Sequence, residues 1–248
     1  MTQDIAIVTG AGQGLGEVIA RRLHAAGYKV AVADLGLDKA QAVAQSLDAT
    51  GATATGLLLD IRKKSDFEAA RDALIAQWGS IQVLVNNAAI TLHTPLMQIS
   101  PEEFNSTITT NLGGTFLGCQ VFGAYFASQH YGRLLNLASL AGQNGGTAAG
   151  AHYASSKAGI AVLSKVFAKE LAASGVTVNT LAPGPIDLPS VRATVSPEKL
   201  QHVIDHVIPV HQLGDPVYIA DTLVHLASRQ AGYVTGATWD LNGGIFMR

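Results

Sequence analysis

Three side chains in the second half of the sequence have the types and order needed to move a proton. Tyr153 and Lys157 stand four residues apart in Tyr153-Ala154-Ser155-Ser156-Lys157, which opens an Ala-rich helical stretch running to about Ala173. In a helix that spacing places both on one face. A free phenol titrates at about 10, and an adjacent ammonium favours its phenolate, bringing a tyrosine towards the pH at which it serves as acid and base. Ser139 follows the apolar run Arg133 to Ala138. It therefore falls at the carboxyl edge, where open α/β sheets bind ligands, and its hydroxyl can polarise a substrate oxygen.

A second constellation lies near the amino terminus. Thr9-Gly10-Ala11-Gly12-Gln13-Gly14-Leu15-Gly16 separates a first strand run, Ile5 to Val8, from a helical run to about Ala26. Glycines there let the backbone turn tightly and approach a pyrophosphate, whose charge the helix N-terminus favours. The companion signal is an acidic residue about 20 positions on. Asp34 supplies it, 18 positions after Gly16, at the end of the strand run Lys29 to Ala33. A carboxylate accepts hydrogen bonds from ribose hydroxyls and repels a 2′-phosphate. Gln13 and Leu35, the two nearest positions for a compensating cation, are uncharged, so the pattern predicts NAD as cofactor rather than NADP. Lys39 is the nearest cation that would weaken this, if the start of its helix turned back towards the ribose.

The elements that must hold these residues alternate strand with helix, the pattern of a doubly wound (Rossmann) α/β fold with a parallel sheet covered on both faces. Further strand runs are Gly56 to Leu59, Ile81 to Val85 leading into Asn86-Asn87-Ala88-Ala89, Val176 to Leu181 leading into Pro183-Gly184, and Thr238 to Leu241. Ser65-Asp66-Phe67-Glu68 and Ser100-Pro101-Glu102-Glu103 read as capping boxes. Ser196-Pro197 and Asp215-Pro216 give the cap-then-proline signal. With no repeat, charge block or linker, 1–248 reads as one domain. The proline-rich stretch 183–212 is a candidate substrate lid.

Composition narrows the function classes. The chain has 248 residues, 48% hydrophobic and 14% charged, with a formal charge of -2. That suits a globular enzyme and gives no basic stripe for nucleic acid. No signal-peptide pattern and no bilayer-length apolar run are visible, so a cytoplasmic enzyme is expected. The single Cys119 has no disulfide partner within the chain.

Taken together, these motifs resemble the short-chain dehydrogenase/reductase family in its compact single-domain form, over essentially the whole chain. The resemblance rests on the glycine turn at 9–16, Asn-Asn-Ala at 86–88, Asn111, Ser139, Tyr153-x-x-x-Lys157 and Pro183-Gly184. It implies about seven strands and hydride transfer between nicotinamide and a carbinol or carbonyl carbon. It also implies that Ser139 binds the carbonyl oxygen, Tyr153 transfers the proton, Lys157 holds the nicotinamide ribose and Asn111 supports a water-linked relay to Lys157. Gly10, Gln13, Gly14, Leu15, Gly16, Asp34 and Leu35 would meet the pyrophosphate and ribose. Asp60 and Ile61 would lie near the adenine, Asn87 and Ala88 along the cofactor, and Pro183, Gly184 and Ile186 at the nicotinamide. A homotetramer built on a four-helix contact is implied as well. The nearest group by overall look is 3-oxoacyl-acyl-carrier-protein reductase-like. Because members serving fatty-acid synthesis usually favour NADPH, Asp34 ranks a general secondary-alcohol or 3-hydroxyacyl dehydrogenase first. Two departures stand out: Ala89 replaces a frequent glycine, and Leu188 stands where a cofactor-touching Thr is common.

Other residues carry weaker signals. Gln143, His93 and Leu188 are candidate substrate contacts, and His152 a candidate for the pocket wall with its side chain turned away from Tyr153. His202 and His206 are four apart but lack the Glu placement of a zinc protease, so no metal is expected. A non-catalytic dinucleotide sensor on the same fold has no need for Ser139, Tyr153 and Lys157 together. A serine hydrolase would need the elbow glycines that Ser139 lacks.

Overall fold

Alternation along β1 (Ile5–Thr9) explains the layered architecture of the computed structural model, which describes residues 3–146 and 150–248. Ile5 and Ile7 point to one side and Ala6 and Val8 to the other, and all four are buried. A strand apolar on both faces needs helices on both faces. The remaining strands are β2 (Lys29–Asp34), β3 (Ala54–Leu58), β4 (Val83–Asn86), β5 (Gly132–Leu137), β6 (Val176–Pro183) and β7 (Thr238–Leu241). Among the described residues they form one parallel sheet in the order β3-β2-β1-β4-β5-β6-β7, parallel as the strand–helix alternation predicts and seven-stranded as the family resemblance implies. The order reverses between β1 and β4, so the crevice at their carboxyl ends is the place for a ligand.

One face is covered by α1 (Gly14–Ala25), α2 (Leu37–Leu47) and α10 (Pro216–Ala227), which bury Ile19, Leu23, Val43, Ile219 and Leu223 against Val8, Val32 and Leu135. The other is covered by α3 (Lys64–Trp78), α5 (Gly114–Ser128) and α7 (Ala151–Leu171). There Phe67, Phe122 and Phe126 are fully buried, with Phe67 and Phe122 edge-on at 6.4 Å. Each fully buried large side chain contributes roughly 1.5–3 kcal/mol. The sheet is thus a rigid floor for its carboxyl-edge loops.

Most predicted helix starts hold. Ser100 accepts from Glu103 N at the start of α4 (Pro101–Ile108), Ser196 from Lys199 N at α9 (Pro197–His206), and Asp215 from Val217 N at α10. Ser65 does not cap. Helix α3 starts two residues earlier, after Lys63, because a turn from Asp60 O to Lys63 N leads straight into it, and Asp66 Oδ2 accepts from Asp60 N. Strand β3 likewise starts at Ala54, two residues before the predicted Gly56. Gly56 sits mid-strand because a Cβ there would lie 2.6 Å from Gln41 N of α2.

The stretch 183–212 is more ordered than a bare loop. It holds the short α8 (Pro189–Thr194) and α9, and Ile186 forms a bridge to Gly214 that ties its two ends together. Among the described residues no helix is long and apolar enough to cross a membrane.

Candidate active site

The glycine turn is built by contacts that only glycine permits. Gly10 has a φ of +63°, and a Cβ there would lie 2.7 Å from Ala88 Cα. Gly16, in the first turn of α1, lies against the Gly10 carbonyl and the Asn87 side chain, where a Cβ would collide with both. Asn87 Nδ2 donates to the carbonyls of Thr9 (3.0 Å) and Gly10 (3.1 Å). Thr9 Oγ1 accepts from the backbone of Asn87 and Ala88, each at 3.1 Å. The ends of β1 and β4 are thereby locked across the switch point. Ala89 needs no glycine backbone, since His130 and His211 are the only non-glycine residues at positive φ among those described.

Asp34 closes the outer end of this crevice. Its Oδ2 accepts from Gly12 N at 2.9 Å and its Oδ1 from Gly36 N at 3.0 Å, which fixes the plane of the carboxylate. Leu35 beside it is 63% exposed. Asp60 is less available than its position suggests. Both of its oxygens are held by Arg62, at 2.9 and 2.8 Å, and that guanidinium keeps the carboxyl down at about 2. Ile61 is buried against the start of α5, where a Cβ on Gly114 would lie 2.7 Å from Ile61 Cδ1.

The proton-handling corner lies at the carboxyl end of β5. Helix α7 carries Tyr153 and Lys157 on one face, with the Lys157 ammonium 5.6 Å from the centre of the Tyr153 ring. The ammonium is almost wholly buried and donates to Leu137 O at 2.7 Å. Burial lowers its pKa from 10.5 to about 8, since the charged form loses its water. Ser139, two residues past β5, shares hydrogen bonding with the Tyr153 hydroxyl, and so does Thr91. The turn bearing Ser139 can rest on α7 because position 142 is glycine: a Cβ there would lie 2.5 Å from Ala158 N.

One sequence expectation is corrected here. Tyr153 is shifted up rather than down, because burial outweighs the hydrogen bonds from Ser139 and Thr91 that favour its phenolate. Asn111 is buried in a π-helical turn, Thr109–Gly113. Its Oδ1 accepts from Ile90 N (2.8 Å), while Nδ2 donates to Ile90 O (3.0 Å) and Ser156 Oγ (3.1 Å). Ser156 in turn donates to Tyr153 O at 2.7 Å. Asn111 thus pins the segment before Thr91 and the first turn of α7 to each other.

The remaining candidates divide. Pro183 ends β6, and Gly184 passes so close to Asn242 that a Cβ would lie 2.9 Å from Asn242 Cα. Ile186 is half-buried and packs against the α10 side of the sheet. Leu188 caps α8, whose loop is closed by a bidentate pair between Asp187 and Arg192. Gln143 Nε2 donates to Asp240 Oδ1 of β7 at 2.5 Å, and Asp240 is also gripped by Arg248. His93 is exposed. His152 lines no open pocket: it is fully buried, with Nε2 2.9 Å from Glu103 Oε1 of α4. Sequence reading missed Thr91, Ser156 and Glu103. The first follows Ala88 by three positions in a segment already flagged, and was the most findable of them.

Comparison with known proteins agrees with this arrangement. Residues 10–245 match the family model described as enoyl-(acyl carrier protein) reductase. The chain is 39% identical over 246 residues to the 3-oxoacyl-[acyl-carrier-protein] reductase FabG of Escherichia coli (strain K12), covering 98% of this chain and 97% of that protein. It is 37% identical over 243 residues to the FabG proteins of Staphylococcus epidermidis (strain ATCC 12228) and Staphylococcus aureus (strain N315), covering 98% of each chain. The chain belongs to the short-chain dehydrogenase/reductase family. As a member of that family it is an oxidoreductase working between CH–OH and C=O with a nicotinamide dinucleotide. The short-chain dehydrogenase/reductase motifs at 9–16, 86–88, 139 and 153–157 all lie along the carboxyl edge of its sheet.

Proposed function

We propose that this protein is an NAD-linked oxidoreductase that interconverts a secondary alcohol and a ketone, with Tyr153 as acid and base. The observation that carries the reading is the meeting of the Tyr153, Ser139 and Thr91 side chains above the buried Lys157. The bound nicotinamide supplies or accepts the hydride. Ser139 holds and polarises the substrate oxygen. Tyr153 gives its proton to that oxygen in reduction and takes it back in oxidation. Lys157 holds the nicotinamide ribose, and its charge favours the phenolate against the burial that opposes it. Asn111 keeps Ile90 and the Tyr153 turn in register and supports a water-linked proton relay to Lys157.

The dinucleotide fits the residues present. Gly10, Gln13, Gly14, Leu15 and Gly16 form a tight turn that Cβ atoms at 10 and 16 would break by collision with Ala88 and with the Gly10 carbonyl. Asp34, its carboxylate fixed by Gly12 and Gly36, takes the adenosine ribose beside Leu35. Ile61 and the Asp60 backbone border the adenine, Asn87 and Ala88 the middle of the cofactor, and Pro183, Gly184 and Ile186 the nicotinamide. We assign Leu188 and His93 to the substrate side. Gln143, tied to Asp240, serves it through the shape of its turn. The unit is a single domain that acts as a cytoplasmic homotetramer, a reading supported by Phe116, Val162 and Val166, exposed at 39%, 61% and 61% on α5 and α7.

A second reading has a specific observation behind it. The relatives reduce 3-oxoacyl groups by name, so a 3-oxoacyl thioester is the foremost alternative substrate. The enoyl reduction named by the family description fits less well, because it delivers a proton to carbon. The hydroxyls that meet at Tyr153, Ser139 and Thr91 suit an oxygen. Assaying NADH consumption with simple ketones, 3-oxoacyl thioesters and enoyl thioesters separates the readings. Turnover of the enoyl thioester alone would reject both carbonyl assignments.

A further inference from the structure

The outer end of the cofactor crevice holds a cation as well as a carboxylate. Lys39 lies in the first turn of α2 and is exposed. Its ammonium donates to Gln13 Oε1 of the glycine turn at 3.0 Å. The stem of Lys39 runs alongside Asp34. A Cβ on Gly12 would lie 2.8 Å from Lys39 Cβ and 3.0 Å from Asp34 Oδ2. A Cβ on Gly36 would lie 3.6 Å from Lys39 Cδ and 3.7 Å from Asp34 Oδ1. Two glycines are therefore bracketed by the same acid and base, and the start of α2 brings Lys39 beside Asp34.

We propose that Lys39 is a second determinant of cofactor choice: an ammonium docked on Gln13, beside the ribose-binding carboxylate, that keeps NADP usable alongside NAD. This rests on the reading of Asp34 as the ribose acceptor. Asp34 on its own disfavours a 2′-phosphate. Lys39 opposes that effect from a neighbouring position. Its partner Gln13 is a neutral amide, and a phosphate is the stronger acceptor because both members of the new pair are charged. The lysine stem is flexible and the ammonium a compact point charge, so the exchange needs no backbone movement. With NAD bound the ammonium stays on Gln13 and contributes little. Neither Gln13 nor Leu35 supplies charge, which leaves this role to Lys39 across the turn.

Titrating NADH and NADPH into the intact enzyme, followed by nicotinamide fluorescence, tests the proposal without turnover. Lys39→Met should weaken NADPH binding about tenfold while changing NADH binding by less than about twofold, the tenfold loss being about 1.4 kcal/mol. Lys39→Arg should retain NADPH binding. Unchanged NADPH affinity in Lys39→Met, or an equal loss for both dinucleotides, overturns the proposal. Asp34→Ala scores the underlying reading separately: an NADH-to-NADPH affinity ratio unchanged there would defeat the ribose assignment of Asp34, whatever Lys39 does.

Discussion

The two ends of the cofactor crevice handle charge in opposite ways. At the Asp34 end, Gln13 and Lys39 are exposed, and backbone N–H groups fix a carboxylate that faces water. At the Tyr153 end, Lys157 is 3% exposed and has a carbonyl, not a carboxylate, for a partner. In water each charged contact is screened and modest, so selectivity at the first end is a sum of small opposing contributions. Under cover the loss of water alone brings Lys157 to about 8, where it sits near working pH. The first end is built to choose a ligand and the second to move a proton.

Substitutions at each end should therefore fail differently. The largest effect is expected for Tyr153→Phe, which keeps the ring and removes the titrating hydroxyl. Its kcat should fall about a hundred- to ten-thousand-fold with NAD affinity nearly unchanged, read by steady-state rates beside a binding titration. Near-normal kcat would break the contrast outright. Ser139→Ala should cost on the order of 3 kcal/mol of transition-state stabilisation, a fall in kcat of about a hundredfold. At the other end, Asp34→Ala should leave kcat with NADPH intact and narrow the kcat/KM preference for NADH by about tenfold. A fall in kcat equal to that of Ser139→Ala would mean that the two ends are not separate.

The smallest effect concerns stability and sharpens the same contrast. Lys157 has a folded pKa of about 8 against an ordinary value of 10.5. Below about 8 it is charged in both folded and unfolded chains, and the fold bears the full cost of the buried charge. Between those values the folded lysine is neutral while the unfolded one still holds its proton, so that cost fades as pH rises. Lys157→Met should accordingly raise Tm at pH 7 by a few degrees. The gain should shrink between pH 8 and pH 10, followed by calorimetry. An equal gain at both ends of that window would show that burial does not perturb Lys157.

What the sequence revealed divides along similar lines. Features set by local backbone were legible: Gly10 and Gly16 mark the turn because no Cβ fits, and Ser100, Ser196 and Asp215 cap helices within three residues of themselves. Ser65 misled because the preceding Asp60–Lys63 turn, rather than the capping pattern, set where α3 begins. Pairings between distant segments were hidden. Glu103 meets His152 across 49 positions and Gln143 meets Asp240 across 97, and neither spacing leaves a local trace. The direction of the Tyr153 shift was also out of reach, since it depends on how deeply the finished fold buries the phenol. Lys39 was readable as a risk but not as a contact until α2 was placed over the turn.

The most direct test measures initial rates of ketone-dependent oxidation of NADH and of NADPH by the unmodified enzyme under identical conditions. The expected result is ketone-dependent consumption of both, with kcat/KM for NADH higher by about tenfold, since Lys39 offsets part of the discrimination by Asp34. Equal or better use of NADPH, or no ketone-dependent consumption of either, would contradict the account.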